Sequence, residues 1–312
     1  MKALPFGGAF LSYFWQMKIL VTGANGFVGN YLVRQLLQNG QPVVATGKGD
    51  CRLEFDLKDN FEYVSLDFTD IEQVKKVFKG HRPQMVVHAG AMGRPDECEE
   101  KRELAFKINV TGTENLLHAA ASLHSHFIFL STDFVFAGDK LMYKEEDKTG
   151  PVNYYGTTKL LAEEQVLQYP FDKTIIRTIL VYGKPLTGRN NILTIVKEKL
   201  ENGETYHVYD DQVRTPTYVE DLCAGIIASI EKRATGIFHI GGKDVLTPFD
   251  MAYKVAEYLK LDKSLLQKVT RENFSQPALR PLLTGLDISK ARNELGFNPI
   301  SFEEGLKKTF HC

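Results

Sequence analysis

From Met17 onward the chain alternates short β-branched apolar runs with longer stretches in which apolar residues recur every three or four positions. The short runs predict strands at 18–22 (KILVT), 42–46 (PVVAT), 62–66 (EYVSL), 85–89 (MVVHA), 126–131 (HFIFLS), 174–180 (TIIRTIL) and 236–240 (GIFHI). Between them, Val28, Leu32, Leu36 and Leu37 predict a helix stopped by Asn39-Gly40. Further helices are predicted over 70–79, 99–122 and 156–168, bounded by Gly, Pro or acidic caps. Near-continuous apolar strands alternating with helices are the signature of βαβ units around a parallel sheet.

The alternation ends near residue 183. Gly183-Lys184-Pro185-Leu186-Thr187-Gly188-Arg189-Asn190-Asn191 reads as a loop before a helix at 191–201. Thr247-Pro248-Phe249-Asp250 supplies a capping hydroxyl, a first-turn proline and an acid at the third helical position, so another helix starts there. Later helices are predicted at 287–295, stopped by Gly296, and at 302–309. The division expected is a nucleotide-binding domain over 17–183 and a smaller, partly interleaved domain over 184–312, with 205–242 contributing elements back to the first. Residues 1–16 faintly resemble a secretory leader, but they run into the first strand without a small-x-small cleavage site. They are read as a disordered leader or as the product of a translation start upstream of Met17.

Composition narrows the functional classes. The 312 residues are 43% apolar and 25% charged, with 38 basic and 39 acidic side chains, a net charge of −1 and one Trp. That balance gives no electrostatic footprint for nucleic acid or an acidic membrane surface. No apolar run reaches the roughly 18–20 residues of a bilayer-spanning helix. Cys51, Cys98, Cys223 and Cys312 are widely spaced with no Cys-x-x-Cys pair, which points to reduced thiols in a cytoplasm and to no thiolate metal site.

Chemistry enters with Gly23-Ala24-Asn25-Gly26-Phe27-Val28-Gly29, directly after a strand and directly before a helix. Glycines there let the backbone approach a pyrophosphate and aim the helix N-terminus at it, so a Rossmann-type, doubly wound α/β sheet holding a dinucleotide is expected. An ordinary strand-to-helix turn is the bland alternative. After the second strand, Lys48 and Arg52 stand where a 2′-phosphate is bound, which favours NADP, while Asp50 keeps NAD as the alternative. Asp67 and Phe68, after the third strand, are placed to contact the adenine, and Asp70 to cap the next helix. Tyr155 and Lys159 lie four residues apart and so on one helix face. A phenol of ordinary pKa about 10 is a poor proton donor near neutrality, and a neighbouring ammonium brings it towards the working range. Thr132, after the fifth strand, offers a hydroxyl to the same reacting oxygen.

These stretches, with L-D-F-T-D at 66–70, H-A-G-A at 88–91, I-N-V-T-G-T-E-N-L-L at 108–117, L-S-T-D-F-V-F-A-G at 130–138, P-V-N-Y-Y-G-T-T-K at 151–159 and R-T-I-L-V-Y-G at 177–183, resemble an extended short-chain dehydrogenase/reductase of the dTDP-4-dehydrorhamnose reductase branch. D-D-Q-V-R-T-P-T at 210–217 and R-P-L-L-T-G-L at 280–286 sit where that branch carries its substrate-side segments. The resemblance covers Met17 to about Phe310. It implies Thr132, Tyr155 and Lys159 as the catalytic set, and Gly23, Asn25, Gly26, Phe27 and Gly29 on the pyrophosphate loop. It further implies Ala89 and Gly90 on the adenosine side, Asn109 as a structural asparagine, and Asp133, Gln212, Arg214 and Arg280 towards a nucleotide-linked sugar. The activity implied is reduction of a nucleotide-linked 4-keto-6-deoxysugar with NADPH or NADH. The rivals are an epimerase or dehydratase with tightly held NAD, and a non-catalytic regulatory subunit like that of methionine adenosyltransferase. A helix-mediated homodimer is the assembly common among lookalikes. Two departures fall on the substrate side: Phe134 replaces a common Tyr, and Arg214 replaces a common Gly, where it either contacts phosphate or narrows the pocket.

Other groups are given bland roles. His124 and His126 lack a third metal ligand and read as surface or strand-entry residues. Asp96, Glu97, Glu99 and Glu100 are acids favoured by a helix dipole. Cys98 has no basic surroundings that would make it reactive. Ser131 lacks the glycine-bracketed elbow of a hydrolase.

Overall fold

The computed structural model describes residues 17–54, 60–186, 190–274 and 276–311. The leader 1–16, the centre of the 183–191 loop and Cys312 lie outside the described residues. The first strands are β1 (Ile19–Thr22), β2 (Val43–Gly47), β3 (Phe61–Ser65), β4 (Met85–His88), β5 (His126–Thr132), β6 (Asp139–Tyr143) and β7 (Lys173–Thr178). They are followed by β8 (Val181–Tyr182), β9 (Tyr206–Tyr209), β10 (Thr217–Tyr218), β11 (Gly236–His239), β12 (Leu266–Val269) and β13 (Leu283–Leu286). Helices α1 (Phe27–Gln38), α2 (Ile71–His81), α3 (Pro95–Glu100), α4 (Arg102–Phe106), α5 (Gly112–Ala121) and α6 (Tyr154–Gln168) accompany the first half. Helices α7 (Ile192–Glu201), α8 (Val219–Glu231), α9 (Pro248–Leu259), α10 (Ser289–Leu295) and α11 (Phe302–Phe310) follow.

All seven predicted strands join one parallel sheet, ordered β11-β7-β5-β4-β1-β2-β3. Apart from the edge strand β3, which has no fully buried residue, the strands read as largely apolar runs because both faces are covered, and alternate residues serve different cores. Ile19, Val21, Ile128 and Ile176 pack with α1 and α8 on one side. Leu20, Phe127, Phe129 and Ile175 pack with α2, α5 and α6 on the other. Chain order reverses between β1 and β4, which opens a crevice at the carboxyl ends of those strands.

The predicted helix stops hold where a cap was legible. Gly40 and Gly296 adopt φ of 75° and 73°, and Thr247 and Asp250 form a reciprocal capping box at the start of α9. The single helix expected at 99–122 is instead broken. It begins at Pro95, is interrupted at Lys101 (φ −125°, ψ 55°), and passes through a π-helical turn over Lys107–Thr111 before α5. The wider turn re-phases the side chains and turns Asn109 inward, where it is buried. The strand expected to reach 180 ends at Thr178, because Leu180 takes a left-handed φ of 38°. Three two-stranded parallel pairs, β6 with β13, β8 with β10 and β9 with β12, were not among the expected elements. Among the described residues no helix is long and apolar enough to cross a membrane.

Candidate active site

A cleft of about 880 Å³ runs along the carboxyl ends of β1, β2, β4 and β5. Apart from Asp50, every residue singled out for cofactor, catalysis or substrate, from Gly23 to Arg280, lines it. Their assembly follows from the fold: consecutive βα units deliver their loops to the same edge of a parallel sheet.

At the dinucleotide end, Gly23 has φ 71° and lies so close to Gly90 that a Cβ would stand 2.7 Å from its backbone. Gly26, at the N-cap of α1, offers no side-chain cap, so the first N–H groups of the helix remain available to an anion. Asn25 serves the neighbouring loop. Its amide donates to the Asp50 carbonyl (2.9 Å) and the Tyr63 hydroxyl (2.8 Å), and its Oδ1 accepts the Arg52 N–H (2.9 Å). That shapes the 47–52 turn. Lys48 Nζ stands 2.8 Å from Asp67 Oδ2, and this contact holds the Asp67 carboxyl down at about 2. Phe68 forms a wall, with its ring edge-on to His88 at 5.2 Å and packed against Gly90. Asp70 caps α2, accepting the Glu72 and Gln73 N–H groups.

At the chemical end, β5 delivers Thr132 and α6 delivers Tyr155 and Lys159. Asn153 sets the start of α6, accepting the Gly156 N–H (2.9 Å) and donating to the Leu279 carbonyl (2.6 Å). Gly156 permits the close approach to the turn after β5, since a Cβ would lie 2.1 Å from the Phe134 carbonyl oxygen. Thr132 Oγ1 donates to Asp133 Oδ1 (3.1 Å) and accepts the Phe134 N–H (3.2 Å). The Phe134 ring, in place of a tyrosine, meets the Tyr155 ring edge-on at 5.6 Å. Lys159 is buried, donates to the Leu130 carbonyl (2.7 Å) and lies 3.9 Å from the Phe129 ring centre. Burial brings its pKa down to about 7, with Glu163 acting in the opposite direction. Asn109 accepts the Met92 N–H (2.8 Å) and donates to Thr158 Oγ1 (2.9 Å), tying the loop after β4 to the helix that bears Tyr155 and Lys159.

On the remaining side, Arg214 is almost fully buried. Its guanidinium donates to the carbonyls of Val213, Leu282 and Pro281 and to Gln212 Oε1. It lines the cleft with its guanidinium already engaged by these oxygens. Asp133 is buried beside it, with Oδ2 accepting from Thr284 Oγ1 at 2.7 Å, and burial pushes its carboxyl up. Arg280 is engaged by Asp96.

Two features escaped sequence reasoning. Glu163 and Arg177 form a buried pair at 2.7 Å behind Lys159. The signal available was Glu163 itself, one more helical turn along the Tyr155–Lys159 face. His88 sits in a buried chain from Thr22 (2.6 Å) to Thr113 (3.2 Å), and burial takes its pKa down to about 3. His126 is a strand-entry residue and, contrary to a surface reading, is buried against Thr174 at 2.7 Å. Cys98 is buried and its thiol is pushed up to about 11, which keeps it inert. No metal-holding cluster of His, Cys, Asp or Glu occurs among the described residues.

The sheet, glycine loop and Thr-Tyr-Lys constellation define an oxidoreductase of the extended short-chain dehydrogenase/reductase type. The chain belongs to the family described as the RmlD substrate binding domain, whose model matches residues 17–311. It is 29% identical over 300 residues to a probable low-salt glycan biosynthesis reductase, Agl14, of Haloferax volcanii, covering 93% of this chain and 96% of that protein. It is 30% identical over 279 residues to the methionine adenosyltransferase 2 subunit beta of Xenopus tropicalis, covering 88% of this chain and 81% of that protein. Its fold matches dTDP-4-dehydrorhamnose reductase from Bacillus anthracis in complex with NADP, with a TM-score of 0.83 and 30% identity over 95% of this chain and 99% of that one.

Proposed function

We propose that this protein reduces the keto group of a nucleotide-linked 4-keto-6-deoxysugar with a nicotinamide cofactor. The observation behind the reading is that Thr132, Tyr155 and Lys159 line the same cleft as the Gly23–Gly29 loop. The residues fit a dinucleotide: an uncapped helix N-terminus, a turn pre-shaped by Asn25, and a glycine contact that a Cβ would obstruct. When bound, the reduced nicotinamide supplies hydride. Tyr155 donates the proton that the sugar oxygen takes up, the Lys159 ammonium favours the phenolate left behind, and the Thr132 hydroxyl orients the carbonyl. Lys48 and Arg52 at the mouth favour NADP over NAD.

The test is incubation with NADPH or NADH and a panel of nucleotide-linked keto sugars, following absorbance of the reduced nicotinamide. Loss of that absorbance in proportion to alcohol formed is expected. Turnover of a nucleotide sugar with no net change in the coenzyme would instead establish the epimerase or dehydratase reading. A non-catalytic reading draws on the similarity to the methionine adenosyltransferase subunit. It requires a stoichiometric partner on purification and no reduction of any sugar in the panel.

A further inference from the structure

The acids at the start of α3 do more than face a helix dipole. Asp96 holds the Arg280 guanidinium in a two-pronged ion pair, Oδ1 to Nη1 at 2.5 Å and Oδ2 to Nη2 at 2.6 Å. The same Oδ1 accepts the Ala278 N–H at 3.0 Å. Glu99, one turn further on, accepts the Tyr154 N–H at 2.6 Å in the first turn of the helix bearing Tyr155. The start of α3, the start of α6 and residues 278–280 therefore meet at the rim of the cleft, which Pro95 and Arg280 both line.

The substrate half of the cleft has two guanidinium groups, and each faces a carboxylate. Arg214 and Asp133 are shut in, with side chains 4% and 2% exposed, and the N–H groups of Arg214 are engaged by fixed carbonyls. Arg280 and Asp96 are 16% and 36% exposed, so this pair can open without leaving a charge sealed in the interior. A guanidinium fork donates to the oxygens of a carboxylate or of a phosphate in the same two-pronged way.

We propose that Asp96 is a specificity-determining residue of the substrate half: its carboxylate occupies the place on Arg280 that a nucleoside diphosphate takes, so that binding exchanges one anion for another on the same fork. The inference rests on the nucleotide-sugar reading above. A ligand with no phosphate gains nothing from displacing Asp96, whereas a diphosphate brings enough charge to do so. The carboxylate thus selects for highly charged ligands at the cost of affinity. Arg280 holds the Asp96 carboxyl below its ordinary range, so release near neutral pH requires a competing anion rather than a proton.

The test is calorimetric titration of the NADPH-saturated protein with thymidine and uridine 5′-diphosphates, the corresponding monophosphates and the nucleosides. Asp96→Asn keeps the side-chain shape and an acceptor for the Ala278 N–H while removing the charge. It is expected to tighten diphosphate binding by roughly two- to fivefold, the range set by a partly exposed ion pair, with a smaller gain for monophosphates and none for nucleosides or NADPH. Asp96→Ser provides a second variant with the same expected order of gains, should the amide re-pair with Arg280. Unchanged or weaker diphosphate binding in both variants overturns the proposal. An equal gain for nucleosides overturns it as well, since that signals a loosened 278–280 segment rather than anion exchange. Diphosphate binding by the wild type with no change in the variants defeats the exchange alone. Failure of wild type and variants alike to bind any diphosphate defeats the nucleotide-sugar reading and the exchange together.

Discussion

The ammonium of Lys159 has little water around it and one carboxylate a helical turn away, and this decides how the site responds to pH. In water a lysine holds its proton to about 10.4; here burial brings the value down to about 7. Support of a Tyr155 phenolate requires the charged form, so kcat/KM for reduction is expected to fall as pH rises through about 7, which a pH–rate profile reads directly. The stability effect has the opposite slope. Between the two values the unfolded chain binds the proton and the native chain does not, so the folding cost of this lysine is full below about 7 and diminishes as pH rises towards 10.5. Tyr155→Phe removes the proton donor while leaving the ring against Phe134. Turnover is expected to fall by about 10²–10⁴, with cofactor affinity retained, as stopped-flow and fluorescence titration would show. A variant as active as the wild type would remove Tyr155 from its assigned role.

At the scale of elements, α6 is the part on which the chemistry depends, and its supports come from far along the chain. Asn153→Ala removes both the cap at Gly156 and the bond to the Leu279 carbonyl. A loss of about 1–2 kcal/mol is expected in denaturant unfolding, together with a lower kcat as the tyrosine loses its fixed start. Glu163→Gln leaves Arg177 charged and nearly sealed, which is expected to destabilise the protein by roughly 3–5 kcal/mol. Taking away the carboxylate that favours protonated Lys159 should also move the descending limb of the pH profile to lower pH. The Tyr155–Lys159 pair was legible because the two residues lie four apart in sequence, whereas the cap at Asn153 fell before the expected helix start at 156. Glu163 belongs to the same face, but its partner lies on β7 and no local pattern indicates it. The π turn was invisible for a related reason: it carries Asn109 against Thr158, a contact 49 residues away in sequence that no local pattern indicates.

For the molecule as a whole, the parallel sheet could be read because most of its strands are buried on both faces and so appear as largely apolar runs. The short pairs could not: β6 meets β13 across some 140 residues, and β9 meets β12 across some 60. Local patterns therefore reached the glycine-loop half of the cleft, while Gln212, Arg214 and Arg280 were named only through resemblance. Cofactor preference falls between these extremes, because Lys48, Arg52 and Asp50 share one turn and Lys48 is already engaged with Asp67. The ammonium is exposed at the cleft mouth and can turn from that carboxylate to a 2′-phosphate without being unburied. Coenzyme present at a hundred times its dissociation constant adds about 2.7 kcal/mol to stability, which for a chain of this length corresponds to a rise in Tm of roughly 5 °C. Thermal melts at equal coenzyme concentration are therefore expected to show a larger rise with NADPH than with NADH. Lys48→Glu should reverse that order while leaving the melt without coenzyme nearly unchanged. Equal shifts in the wild type would remove the 2′-phosphate from the contacts of Lys48 and Arg52, and a larger rise with NADH would assign the turn to NAD.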